Sequence, residues 1–178
     1  MNTETKYLES LQTSKELVDI YTDMYDDSYY GFIVQYNDDY LVLESIDDDN
    51  NPDGLIVFYR ENITRIRWGG NEITTTQKLI DQSKRLKEIT TLDLSSIQTI
   101  LNGIQDVFGY VNISFEDIDS GVCFIGEIES MDDKSIVIHE YGTKISLDRK
   151  RILLRVEDIT KVEGGGSYEE RIKRIIKN

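Results

Sequence analysis

The chain carries one unit twice, and that repeat limits its folds more than any single motif. The stretch YYGFIVQYNDDYLVLESIDDDNNPDGLIVFYRENITRIRWGGNEITTTQKLI is answered by CFIGEIESMDDKSIVIHEYGTKISLDRKRILLRVEDITKVEGGGSYEERIKRII. Gly31 aligns with Gly126 at an offset of 95, and each opens a run of alternating apolar residues. The turn Asn37-Asp38-Asp39 corresponds to Met131-Asp132-Asp133, and the strand NITRIRW corresponds to DITKVEG. Each copy then reaches a glycine pair or triplet and a capping-box pattern, Thr74 with Gln77 and Ser167 with Glu170. Offsets stay between 93 and 96, so insertions between the copies are small. A chain of this kind builds one small architecture twice.

Within each copy the pattern is of strands. GFIVQY and YLVLESI alternate or run apolar about an Asn/Asp turn, and GLIVFY and ITRIRW flank a polar turn at Glu61-Asn62. The second copy offers CFIGEIES, SIVIHEY, TKISL, RILLRV and ITKVE. Sheets this small must close or pack on a helix. Three other stretches have helical spacing: LESLQTSKELVDIYTDM, TTQKLIDQSKRLKEI and DLSSIQTILNGIQDVF, the last with Asp93 or Ser95 placed to cap it. Their apolar stripes read as core.

GFIVQYNDDYLVL resembles the opening motif of the Sm-like small barrels, and RIRWGGNEI is similar to their second motif. The resemblance covers about 45 residues of each copy. It implies an N-terminal helix followed by a bent five-stranded sheet with an acidic turn. The expected fold class is therefore α+β, two tandem small SH3/Sm-like β-barrel units, each with flanking helices. The expected organisation is an N-terminal helix plus first barrel over 1–75, a helical connector over 76–110, and a second barrel plus C-terminal helix over 111–178. Where the family has an RNA-contacting Asn after the acidic turn, this chain has Tyr40-Leu41-Val42 and Lys134-Ser135-Ile136. Nucleic acid is accordingly not the expected partner.

Charge points the same way. Of 34 acids and 20 bases, residues 1–71 hold 15 and 5, a net of −10. No Lys or Arg falls between Lys15 and Arg60, while 12 Asp or Glu do. Tyr21, Tyr25, Tyr29, Tyr30, Tyr36, Tyr40 and Tyr59 lie in or beside that window. Such a field repels phosphate backbones and attracts cations. No run is long and apolar enough to span a membrane, and MNTETKYLES lacks the pattern of a signal peptide, so a cytoplasmic protein is expected.

Residues 49–60 test one metal reading. Asp49, Asn51, Asp53, Gly54 and Ile56 match positions 1, 3, 5, 6 and 8 of a calcium loop, but position 12 is Arg60 instead of the bidentate Glu. NPDG is itself a favoured turn, and the second copy has only HEYGT at this place. A turn is expected, with weak calcium binding at Asp49–Asp53 as the alternative. One His and one Cys cannot build a tetrahedral N/S site within the chain, and Cys123 sits in an apolar strand that reads as core. GGG at 164–166 lacks the Lys and Ser/Thr of a phosphate loop and reads as a hinge. The basic clusters Arg149, Lys150, Arg151, Arg155 and ERIKRIIKN read as internally compensated, the latter with Ile172, Ile175 and Ile176 inward.

The functional expectation is a non-enzymatic protein–protein interaction module that needs no cofactor and no metal. Its expected surface is an acidic, Tyr-rich face for a basic protein partner: Tyr30, Tyr36, Asp38, Asp39, Tyr40, Asp47, Asp48, Asp49 and Asp53. By analogy of composition, that profile suits an immunity or inhibitor protein against a bacterial toxin. The competing expectation is an Sm-like nucleic-acid-binding regulator.

Overall fold

Asn2 starts the first helix: its side chain accepts from the Thr5 N–H at 2.8 Å, satisfying a donor the helix leaves open. The computed structural model describes residues 2–22, 28–85, 91–119, 121–143 and 146–177. Among them are four α-helices and ten strands, in two compact units divided at Ile89 and Thr90.

The first unit runs α1 (Thr3–Ser14), β1 (Val18–Tyr21), β2 (Ser28–Tyr36), β3 (Tyr40–Ile46), β4 (Pro52–Tyr59), β5 (Arg65–Trp68) and α2 (Gly70–Leu79). Its strands are antiparallel in the order β5-β1-β2-β3-β4. The second runs α3 (Ile97–Phe108), β6 (Val111–Ser114), β7 (Cys123–Met131), β8 (Ser135–Glu140), β9 (Arg151–Arg155), β10 (Lys161–Gly164) and α4 (Ser167–Lys177). Its order is β10-β6-β7-β8-β9, again antiparallel. Both units thus read fifth, first, second, third, fourth. The fold is mixed α+β, and neither set of strands closes on itself among the described residues.

The equivalence extends to single residues. Gly31 lies opposite Ser45 and Gly126 opposite Glu140. A Cβ on Gly126 would stand 2.5 Å from the His139 carbonyl oxygen, and one on Gly31 would be closer still to that of Glu44. Only glycine lets these strands approach so closely. Two residues on, each strand shifts register, between Ile33 and Gln35 and between Ile128 and Ser130. Such bulges bend a strand and increase its twist. The turns match too: Asn37 Oδ1 accepts from the N–H groups of Asp39 and Tyr40, as Asp132 Oδ1 does from Lys134 and Ser135. The structural partner of Asn37 is therefore Asp132, one residue later than the sequence alignment places it.

Leu8, Leu11, Val18, Ile20, Ile33, Leu41, Leu43, Ile56 and Phe58 form a core under α1. Tyr110, Ile125, Tyr141 and Ile172 form one in the second unit.

Several sequence expectations change. The first helix ends at Ser14, where Lys15 turns left-handed (φ 51°) and the N–H groups of Lys15 and Glu16 return to Gln12 and Leu11. Val18 and Tyr21 then belong to a strand. The capping box of α3 is made by Ser96 with Thr99, while Asp93 closes a turn on Ser95 instead. Thr74 and Gln77 cap nothing: α2 starts at Gly70, and Gln77 instead accepts from Leu17 N–H at 3.1 Å. Of TKISL, Thr143, Ser146 and Leu147 are not in a strand, and residues 144–145 lie outside the described residues. The glycine triplet is no hinge, because a Cβ on Gly164 would meet Phe108 at 2.6 Å. Ile175 is 43 % exposed, so α4 presents it outward while burying Ile172.

Candidate functional site

The β3–β4 connection is built by Asp47. Its carboxylate accepts from the N–H groups of Asp49 at 3.0 Å and Asn51 at 2.7 Å, and Asn50 adopts the left-handed conformation (φ 63°). Asp47 N–H donates to Asn51 carbonyl at 2.9 Å, closing the loop. The turn therefore spans Asp47 to Asn51, and Pro52 already belongs to β4 opposite Ile46. NPDG is not the turn expected. With Asp47 holding the loop, Asp48 and Asp49 are left exposed. Asp53 is half-buried inside β4. No group of three or more His, Cys, Asp or Glu among the described residues is placed to hold a metal ion.

Asp38 and Asp39 are exposed in the β2–β3 turn, with Asp38 Oδ1 at 3.9 Å from the Arg60 guanidinium. The seven residues of β3 lie between this turn and the Asp47–Asn51 turn. At about 3.3 Å per residue the two acidic turns sit roughly 20 Å apart, at opposite ends of the sheet. The expected face thus resolves into two separate acidic ends.

The tyrosines divide as well. Tyr40 is 8 % exposed and stacks on Tyr59, ring centroids 5.0 Å apart. Tyr36 packs against the core under α1. Tyr30 donates to Glu72 at 3.1 Å, and burial together with that carboxylate pushes its hydroxyl up to about 12.

Sequence reasoning missed two features. The first is that many acids are not surface charge. Asp19 and Glu44 are fully buried, Asp19 on Arg67 and Glu44 on Arg85 at 2.6 and 2.9 Å. The second is a groove of about 280 Å³ between α1 and β5, lined by Tyr7, Leu8, Leu11, Ile63, Ile66 and Trp68 among others. Tyr7 and Trp68 are 46 % and 43 % exposed, their rings 5.6 Å apart. Alternation in RIRW, with Tyr7 one residue before Leu8 on α1, was the available signal.

The second unit's basic cluster is internally paired: Arg149 with Glu127, Lys150 with Glu140, Arg151 with Glu129, Arg155 with Glu157, all within 3.5 Å. Cys123 is exposed at the start of β7, not in a core as expected; burial in that strand begins only at Ile125, two residues on. No helix among the described residues is long and apolar enough to cross a membrane. No protein-family model matches the chain, and neither a characterised protein nor a solved structure does.

Proposed function

We propose that this chain is a non-enzymatic protein-interaction module of two small Sm/SH3-like barrels, acting in the cytoplasm, whose first unit meets a basic protein partner at the Asp47–Asp53 end. The observation that carries the reading is the division of labour in that turn. Asp47 and Asn50 make its shape, so Asp48 and Asp49 present charge that the fold does not consume. Preorganised carboxylates steer a cationic partner at little ordering cost. An inhibitor of a basic toxin would use such an end, with Asp38, Asp39 and the edges of Tyr30 and Tyr36 as secondary contacts. The barrel reading draws on the shared strand order, the paired bulges and Gly31 with Gly126.

The test is capture of a basic protein by the chain and by Asp48→Lys/Asp49→Lys and Asp38→Lys/Asp39→Lys variants. The first variant is expected to lose capture and the second to keep most of it, with added salt weakening both. Equal capture by all three rejects this end as the contact. The inhibitor reading adds that the captured protein loses activity when the chain is supplied.

The competing class, a nucleic-acid-binding regulator, draws on Arg65 and Arg67 stacking beside Tyr21 (3.9 and 5.1 Å) in the strand that resembles the second Sm-like motif. A low-salt gel shift with single-stranded RNA and DNA separates the two readings; no shift removes the competitor.

A further inference from the structure

In the second unit, α4 meets the sheet through two carboxylates that share one amide. Asn112 Nδ2 on β6 donates to Glu169 in the first turn of α4 at 2.6 Å and to Glu163 on β10 at 3.4 Å. Glu116, just after β6, brings a third carboxylate, and Lys161 Nζ is the ammonium beside them, 3.2 Å from Glu116 and 3.4 Å from Glu163. Cys123 on β7 also faces Glu163, Glu169 and Lys161 and supplies no positive charge. The neighbouring acids Glu140 and Glu170 are taken up by Lys150 and Lys173, each at 3.5 Å. Ionised together, Glu116, Glu163 and Glu169 would leave two negative charges uncompensated beside one lysine, although Asn112, Glu116, Lys161 and Glu169 are all buried. Asn112 Oδ1 is also buried without a donor among the described residues, so the centre is short of protons at its amide as well. Buried carboxylates in excess of their counter-charge take up a proton. At the offset of 96 that relates β5 to β10, the first unit has Arg67 and Ile73 in the places of Glu163 and Glu169.

We propose that α4 is a pH-sensitive latch, docked while Glu163 and Glu169 hold a proton between them and released from Gly166 onward when that proton is lost. The break falls at Gly166 because Gly164 and Gly165 are packed on Phe108, and Gly165 N–H donates to Tyr110 Oη at 2.9 Å, whereas Gly166 faces only the Glu169 carboxylate. Against release stand Ile172, buried with Tyr110, Ile125 and Tyr141, and Lys173 Nζ, which donates to the Phe108 carbonyl. Burial raises Glu163 above its ordinary value of 4.5 in the docked state. Docking is therefore tightest at and below that value, weakens by up to about tenfold per pH unit above it, and levels off once pH passes the docked value. Release uncovers the Tyr110–Tyr141 core and frees a segment, residues 171–177, with four bases and no acid. The latch does not involve the acidic turns of the first unit, so it and the proposed partner contact can fail separately.

The experiment is amide hydrogen exchange on the full chain from pH 4.5 to about 9, with protection corrected for the intrinsic effect of pH on exchange. The amides of Arg171 to Lys177 should lose protection by roughly tenfold per pH unit through the transition, while those of α2 and α3 keep theirs. Side-chain carboxyl resonances should show Glu163 titrating over the same range. Glu163→Gln should keep α4 docked with a flat pH profile, and Glu169→Gln should flatten it as well and serves where the first variant fails to fold. The proposal is overturned if α4 protection in the unaltered chain does not change with pH, or if α3 opens in step with it, which would be unfolding of the whole unit. It is equally overturned if Glu163 titrates at its ordinary value, or if the pH dependence of α4 survives in a folded glutamine variant.

Discussion

The two units share their backbone devices and differ in how they handle buried charge. In the first, each fully buried carboxylate meets an arginine: Asp19 with Arg67, Glu44 with Arg85. In the second, buried and half-buried carboxylates share smaller donors. Lys161 Nζ lies 3.2 Å from Glu116 and 3.4 Å from Glu163, and Asn112 Nδ2 reaches Glu169 at 2.6 Å and Glu163 at 3.4 Å. Arginine offers a planar fork that satisfies a carboxylate with two donors, whereas a lysine or amide divided between two carboxylates satisfies each less well. Asp19 and Asn112 occupy the same place on the first strand of each unit, as Arg67 and Glu163 do on the fifth. The scaffold therefore tolerates an exchange of polarity at its polar centre while holding its bulges and glycines.

Removing an arginine tests that reading most severely. Arg85→Ala strips the guanidinium from buried Glu44 and from its stack 3.6 Å over Phe32. Breaking a buried pair from one side costs about 3–5 kcal/mol. Chemical denaturation should show a loss of that size, with Arg85→Lys intermediate. A loss no larger than that of an exposed ion pair would mean that Glu44 finds enough support elsewhere, and would erase the contrast between the units.

Next in size are the paired glycines, where the units should respond alike. Gly126→Ala drives a Cβ to 2.5 Å from His139 oxygen and 2.8 Å from Glu140 Cα, and Gly31→Ala makes a still closer approach to the Glu44 carbonyl. These neighbours are backbone and cannot rotate away, so each change should cost about 3 kcal/mol, the upper end for overpacking. Thermal melts of the two variants should fall together; a mild effect in one copy alone would show that its strands separate more easily.

How much of this was legible follows from what a sequence encodes locally. Strands β2 to β5 and β7 to β10 announced themselves through alternation and turn residues, because their register is set by which face is buried. Strands β1 and β6 did not. Leu17, Val18 and Ile20 continue the spacing of Leu8 and Leu11, and the helix is ended by Lys15 in a left-handed conformation without a glycine to mark it. Val111 and Ile113 follow directly on the apolar run of α3, separated only by Gly109 and Tyr110. The acids were the larger misreading. Composition counts Asp19, Glu44, Glu116 and Glu169 as surface charge, yet each is buried against a partner distant in sequence, and no local pattern tells such a carboxylate from a solvated one.

The polar centre of the second unit should also respond to pH. Burial pushes Glu163 above its ordinary value of 4.5, with Lys161 opposing the shift and Glu169 and Glu116 adding to it. A carboxyl whose pKa is raised on folding binds its proton more tightly in the folded state. Its contribution is complete below the ordinary value and is lost as pH rises through the folded value. Glu163→Gln keeps the shape and removes the charge, so it should raise the melting temperature near neutrality and have little effect below pH 4.5. An equal shift at both pH values would show that the group is not held protonated.

The smallest effect separates the two turns that look most alike. Asn37 and Asp132 each accept two backbone N–H bonds, but one is neutral and the other a carboxylate. Asn37→Ala should cost about 1 kcal/mol, as for the loss of a local capping bond, at any pH. At Asp132 the backbone donors of Lys134 and Ser135 hold the carboxyl below its ordinary value of 3.8. Its stabilisation is present above that value and is lost as pH falls through the lower, folded one. Exchanging the residues, Asn37→Asp with Asp132→Asn, should leave stability at neutral pH nearly unchanged and move the acid-sensitive turn from the second unit to the first. Amide hydrogen exchange of Asp39 and Tyr40 against Lys134 and Ser135 under acid conditions reads which turn opens. If the same turn opens in both proteins, the acid response lies in the surrounding unit and not in the side chain that heads its turn.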